Sequence, residues 1–134
     1  MKKIFVFLLC IMTLTVSKCK NEDDSCHYDI QIKNNSANQI VSAIPIRNAE
    51  SKCKLDGKII NNGSQYDYRP FNFCIENSLG NNATVEIYIV DPIQFNTPNT
   101  YYSCDSIEVR NKVLKHYTLT FDDLKKSNFI VTYP

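Results

Sequence analysis

The chain has 134 residues, with 15 Lys plus Arg against 14 Asp plus Glu and a formal net charge of +1. That balance, with no clustered run of Lys and Arg, lacks the electrostatic footprint of a nucleic-acid-binding face. The length allows one modest domain around a single core.

Residues 1–18 read as a leader. Met1-Lys2-Lys3 is cationic, and Ile4 to Val16 is apolar. That run is about 13 residues, too short for the roughly 20 a spanning helix needs. Val16-Ser17-Lys18 then precedes Cys19, and the polar stretch Lys20-Asn21-Glu22-Asp23-Asp24 follows at once. This arrangement looks like a bacterial lipoprotein signal, with Cys19 as the acylated, palmitate-bearing first residue of the mature chain. Lys18 departs from the small residue usual before the lipidated cysteine. Cys10 sits inside the apolar run and Cys26 lies beyond the acidic stretch, so no other cysteine marks the border. The competing reading is an ordinary secreted protein with Cys19 as a spare thiol or half of a disulfide. One acyl chain holds a protein only weakly, so durable attachment needs more than one.

Three of the fifteen basic groups, Lys2, Lys3 and Lys18, leave with the leader, and no acidic group does. The mature chain is thus slightly negative, which argues against electrostatic adhesion to anionic lipid. Residues 19–25 comprise the lipidated cysteine and a charged tether, and residues 26–134 form a single domain. Its cysteines are Cys26, Cys53, Cys74 and Cys104. Four cysteines in an exported domain allow two disulfides in three pairings, and the spacing chooses none of them. Their long gaps and the lack of a CxxC pair exclude a zinc knuckle or ribbon. The alternative is that a pair stays reduced as small buried hydrophobes.

Along the domain, Tyr28 to Ile32 alternates as a half-buried strand should. Asn34 to Asn38 is a turn cluster, and Gln39 to Ile46 is a second strand, in which Pro45 disfavours a central ladder position. Asp56-Gly57 and Asn61-Asn62-Gly63-Ser64 are turn signals. Tyr66–Arg69 and Phe71–Glu76 read as strands bent at Pro70, with Phe71, Phe73 and Ile75 on one face and Cys74 on the other. Leu79 to Asn82 turns into the clearest strand, Thr84–Val90, with Val85, Ile87 and Ile89 on one face and Glu86 on the other. Asp91–Asn99 is a proline-containing loop, and Tyr101–Cys104 is an edge segment. Thr120-Phe121-Asp122-Asp123-Leu124 predicts a capping box and one helical turn, with Lys125 and Lys126 near its negative end. Phe129–Tyr133 is the final strand. About seven to nine short strands predict an all-β fold, an antiparallel Greek-key β-sandwich of immunoglobulin or transthyretin-like type with one short C-terminal helical turn.

The tail Val113–Pro134 carries an "LK-aromatic-x-LT" strand, a capped "T-x-x-D-L" turn and a last "I-x-T-Y-P"-like strand. With the leader and Cys26-His27-Tyr28-Asp29-Ile30, it resembles the small, uncharacterised β-sandwich lipoproteins of Bacteroides-like gut bacteria. Members often have Trp where this chain has Phe129. The resemblance implies an outer-membrane lipoprotein and brings no catalytic motif. In such bacteria a charged stretch after the lipidated cysteine resembles a surface-export signal, so Lys20–Asp24 implies exposure on the cell surface. Asp105-Ser106-Ile107 resembles their short O-glycosylation signal, which marks Ser106.

Chemistry is sparse. His27 and His116, the only histidines, each sit beside a tyrosine and read as polar residues at strand edges rather than as general bases. No spacing suggests a nucleophile, a base and an orienting group together. Asp122 and Asp123 are explained by capping. Asp91, Asn96, Asn99 and Asp105 offer hard oxygens for calcium, but not at EF-hand spacing, so no metal or cofactor is expected. Tyr66, Tyr68, Tyr101 and Tyr102 lie near expected loops or edges, where tyrosine suits glycan stacking or a protein partner. The bland alternative is that these rings merely cover the core. The expected function is therefore a non-catalytic binding or accessory module, held to the membrane by its lipid, with a glycan or protein partner and no nucleic acid. The rival is a structural subunit that pairs through an edge strand.

Overall fold

A computed structural model of the chain describes residues 26–80, 83–95 and 101–134. The leader, Cys19 and the tether lie outside the described residues, as do Asn81, Asn82 and the stretch 96–100. In chain order the elements are β1 (Ile30–Asn34), β2 (Ile40–Arg47), β3 (Lys52–Ile60), β4 (Gln65–Tyr68), α1 (Ile75–Ser78), β5 (Thr84–Val90) and β6 (Tyr102–Ser103). There follow a 3-10 turn (Cys104–Ser106), α2 (Ile107–Arg110), β7 (Val113–Thr120), α3 (Phe121–Lys126) and β8 (Ile130–Tyr133).

The fold is all-β, with two sheets and a few short helices. The smaller sheet has the order β4-β1-β8, with β1 antiparallel to β4 and parallel to β8. The larger is antiparallel in the order β6-β3-β2-β5-β7. Their facing sides bury one core: Ile30 and Ile32 of β1 and Val131 of β8 meet Ile40, Ile60, Val85, Ile87 and Ile89 of the large sheet. Ile75, Leu79, Leu124 and Phe129 close its ends. Each such side chain contributes about 1.5–3 kcal/mol on leaving water.

The period of two that sends Val85, Ile87 and Ile89 inward sends Glu86, Tyr88 and Val90 to the opposite face. That face is covered too. Val41, Ala43, Cys53, Leu55, Tyr88, Val90, Tyr102 and Ile107 form a second buried cluster, with Phe95, Cys104 and Val113 against it. Its lid is the excursion between β5 and β7, which carries β6 and α2. The large sheet is thus covered on both faces at its centre, while Ile59 of β3 and much of β7 stay exposed.

Two disulfides pin the periphery. Cys53–Cys104 joins β3 to the lid, and Cys26–Cys74 joins the segment before β1 to the start of α1. The expected capping box is present at α3: the Asp123 N–H donates to the Thr120 hydroxyl oxygen at 3.2 Å, and the Thr120 N–H donates to the Asp123 carboxylate at 3.0 Å. Pro45 lies in β2 as read. The ladder between β2 and β5 covers only Val41 to Ala43, so the missing proline N–H falls beyond that pairing.

Three local readings need correction. Asp56-Gly57 makes no turn and lies inside β3, paired with Ile44 and Ala43. There Gly57 allows a close approach, since a Cβ would meet Val41 Cγ1 and Phe95 Cζ at 2.6 Å. Phe71–Glu76 is not a strand; Ile75 begins α1 and is fully buried, whereas Phe73 is 72% exposed. Helix is also less confined than one C-terminal turn, because α1 and α2 precede α3.

Candidate functional site

The structure divides the four candidate tyrosines between the two sheets. Tyr66 and Tyr68 alternate with exposed Gln65 and Asp67 on β4, so both turn inward and pack against the main core. They line a small recess with Ser42, Ile44, Asp56, Gly57 and Lys58. Tyr102 is buried in the second cluster, with the Arg110 guanidinium 5.0 Å over its ring and its hydroxyl accepting from Asn111 Nδ2 at 3.3 Å. Tyr101 is half-buried and carries the Lys54 ammonium 5.4 Å from its ring centre. Tyr66 and Tyr68 are brought together; Tyr101 and Tyr102 belong to the far end of the large sheet.

Burial pushes the Tyr68 hydroxyl up to about 12, with Asp56 and Tyr66 adding to it. It pushes Tyr88 to about 12 as well, with Glu86 and Glu108 contributing. In an alkaline titration followed by phenolate absorbance, both should ionise after the ordinary tyrosines, and Tyr68→Phe or Tyr88→Phe should each remove one late phenolate. A folded value above the unfolded 10.0 means this stability is present below pH 10 and lost as pH rises through about 12.

A larger but more open concavity lies at the head of the small sheet. His27, Asp29, Gln31, Asp67, Asn128, Phe129 and Ile130 line an open cleft of about 350 Å³. Its aromatic wall is the His27 ring stacked on Phe129, with centroids 3.8 Å apart and planes at 14°. His27 is fixed from two sides. Its Nδ1 lies 2.6 Å from Glu76 Oε1, and its backbone N–H donates to Glu76 Oε2 at 3.0 Å. Phe129 is held with φ +58°, a left-handed conformation that a bulky side chain rarely takes. Its N–H donates to the Leu124 carbonyl at 2.7 Å, and its carbonyl accepts from the Gln31 N–H at 2.9 Å. The strained residue thus joins α3 to β1 and seats its ring in the core, where the half-exposed His27 ring covers it at the cleft. On the polar wall Gln31 Nε2 donates to Asp67 Oδ1 at 3.2 Å. Arg69 holds Asp29 through Nε at 3.0 Å and Nη2 at 3.3 Å.

Burial alone would raise the Glu76 carboxyl; the bonds from the His27 ring and backbone outweigh it and hold Glu76 below its ordinary value. Its contribution to stability is therefore present above an unfolded value near 4.5 and lost as pH falls through the lower folded one. Glu76→Gln should cost about 1.5–3 kcal/mol near neutral pH, the usual range for a hydrogen bond to a charged group. Measured by urea unfolding, the difference from wild type should shrink below pH 4.5.

The second histidine lies on the outer face of the large sheet. His116 stacks on Tyr88 with centroids 4.0 Å apart, and its Nδ1 is 3.7 Å from Glu108 Oε1. Its Nε2 is buried with no hydrogen-bond partner among the described residues. Each histidine therefore stacks on a ring distant in sequence, not on its neighbouring tyrosine.

Of the oxygens weighed for calcium, Asn96 and Asn99 lie outside the described residues. Asp91 instead accepts from Lys112 Nζ at 2.8 Å and from the Ile93 N–H at 3.0 Å, which holds its carboxyl below the usual range. Cys26, Cys74 and Glu76 place their heteroatoms within 4.8 Å of one another, but the two sulfurs are joined as a disulfide and are not thiolate ligands. Ser106 is half-buried at the start of α2, and its side chain makes no capping bond. No helix among the described residues is long and apolar enough to cross a membrane.

Together these features define a disulfide-bonded two-sheet β domain with a shallow, polar, aromatic-walled cleft. No protein-family model, curated protein or solved structure matches the chain.

Proposed function

We propose that the chain is a cell-envelope lipoprotein, anchored at the outer membrane through Cys19, whose β domain is a non-catalytic binding or accessory module exposed on the cell surface. The single observation that carries the binding role is the His27–Phe129 cleft, where the half-exposed His27 ring, fixed on buried Phe129, meets two carboxylates and two amides. Apolar ring surface beside hydrogen-bonding groups is the pattern of a small polar-ligand site, and a glycan suits it best. The rings are locked by Glu76 and by backbone bonds, so little ordering remains to be done on binding. Export is supported by the two disulfides, which persist in oxidising compartments. A Greek-key arrangement of immunoglobulin or transthyretin-like type is the finer fold reading, supported by the pairing of β2 with β5 rather than with its sequence neighbours alone.

The test is a glycan array probed with the mature chain, alongside Gln31→Ala and Asp67→Ala. A hit weakened at least about tenfold by either substitution, the loss of one or two good hydrogen bonds, supports the assignment. An empty array with stable multimers in light scattering overturns it in favour of a structural subunit. The position of β8 at the edge of the small sheet favours that second reading. Against it, the Tyr117 hydroxyl already donates to the Thr132 carbonyl at 3.0 Å, occupying part of that edge. Protease shaving of intact cells tests surface exposure: protection until the outer membrane is broken would place the domain inside.

A further inference from the structure

The corner of the fold where the tether enters carries two of its exposed aromatic rings. Phe73 is 72% exposed and Tyr28 is 42% exposed. The chain segments that carry them are joined by the Cys26–Cys74 bridge, with Cα atoms 5.3 Å apart, and by the Ile75 N–H donating to the His27 carbonyl at 2.7 Å. Tyr28 follows Cys26 by two residues, and Phe73 immediately precedes Cys74. Arg69 lies 5.3 Å over the Tyr28 ring and is neutralised by Asp29, so this corner offers ring surface without net attraction for anionic lipid.

Resting on the assignment of Cys19 as the lipid anchor, we propose that this corner docks on the bilayer, with Phe73 and Tyr28 seated in its interface. Six residues lie between Cys19 and Cys26, so seven chain steps join the two. Even fully extended these steps span about 25 Å, less than the roughly 34 Å diameter of a sphere with the radius of gyration of a domain this size. The disulfide carries that constraint from the chain at Cys26 to Phe73, which would otherwise be bound only through its own loop. A covalent anchor thus holds an exposed aromatic pair close to the membrane surface, where amphipathic and aromatic rings favour the headgroup region. The mature chain is slightly negative, so the contact is apolar and insensitive to salt.

Because the chain has no Trp, one substitution installs a single reporter. Phe73→Trp is placed at the corner, and Val109→Trp, 89% exposed on α2, serves as the control. Both full lipidated chains are reconstituted into phosphatidylcholine vesicles containing lipid brominated at shallow acyl positions. Flotation with the vesicles reads the anchor, and quenching reads the docking. The expected result is flotation of both, with the Phe73→Trp indole shifted to the blue and quenched roughly twofold and the Val109→Trp indole unchanged, as interfacial burial of one site requires. Flotation with no quenching at either site, or with equal quenching at both, overturns the docking and leaves the anchor standing. A chain that does not float, with Cys19 free of acyl mass, overturns both.

Discussion

Cys53→Ala combined with Cys104→Ala is expected to destabilise the domain by about 4 kcal/mol, the chain-entropy value for a loop of this length. The bridge closes 51 residues of sequence. The native side of the balance points the same way. Without the bridge the lid is held by a two-residue strand, one short helix and the burial of Tyr102 and Ile107. Cys53 is fully buried, so its loss also leaves a gap against Leu55 and Tyr102 in the second cluster. Two measurements read the result. The urea midpoint should fall, and amides in the lid should exchange far faster than those of β5, because the lid can then open without the sheet. A loss under about 1 kcal/mol with unchanged lid exchange would show that packing alone seats this layer.

What could be read from the sequence was set by range. The α3 capping box spans four consecutive residues, and the two faces of β5 follow from strict alternation, so both were legible. Asp56-Gly57 misled because a local turn signal was overridden by eight cross-strand pairs between β2 and β3. Phe71, Phe73 and Ile75 imitated a strand, but Cys74 is bound to Cys26 and Glu76 is drawn to His27, which favours a helical turn. The parallel pairing of β1 with β8 joins opposite ends of the domain and leaves no local trace. The candidate site shows the same division. Period two puts Tyr66 and Tyr68 on one face of β4 but does not say whether that face points in or out. The cleft needed His27 and Phe129 together, two residues separated by most of the domain. The left-handed pair Asn128 and Phe129, which sets the course of the chain there, is a feature of the folded backbone and was not read from the sequence.

Ile87→Ala is expected to cost about 3–4 kcal/mol, within the range for truncating a fully buried isoleucine. Ile87 sits on β5 between β2 and β7 and is 0% exposed. Its neighbours have little freedom to close over the gap. The backbone on one side is fixed by the ladder with β7, where Ile87 faces Tyr117, and the facing wall is the β1 sheet. The effect should appear as a lower urea midpoint with unchanged slope, since the truncation removes contacts without opening the lid. Combined with Cys53→Ala and Cys104→Ala, it becomes a test of architecture. Ile87 belongs to the core between the sheets and Cys53 to the cluster beneath the lid, with β5 and the rest of the large sheet between them. Without shared partners, the two losses should add within about 0.5 kcal/mol. Their sum, about 7–8 kcal/mol, reaches the whole stability of many domains of this size, so the triple variant should be largely unfolded at neutral pH by circular dichroism. If it stays folded because the losses overlap strongly, the two clusters act as one core, and the lid is a continuation of the sandwich rather than a third layer held by its disulfide.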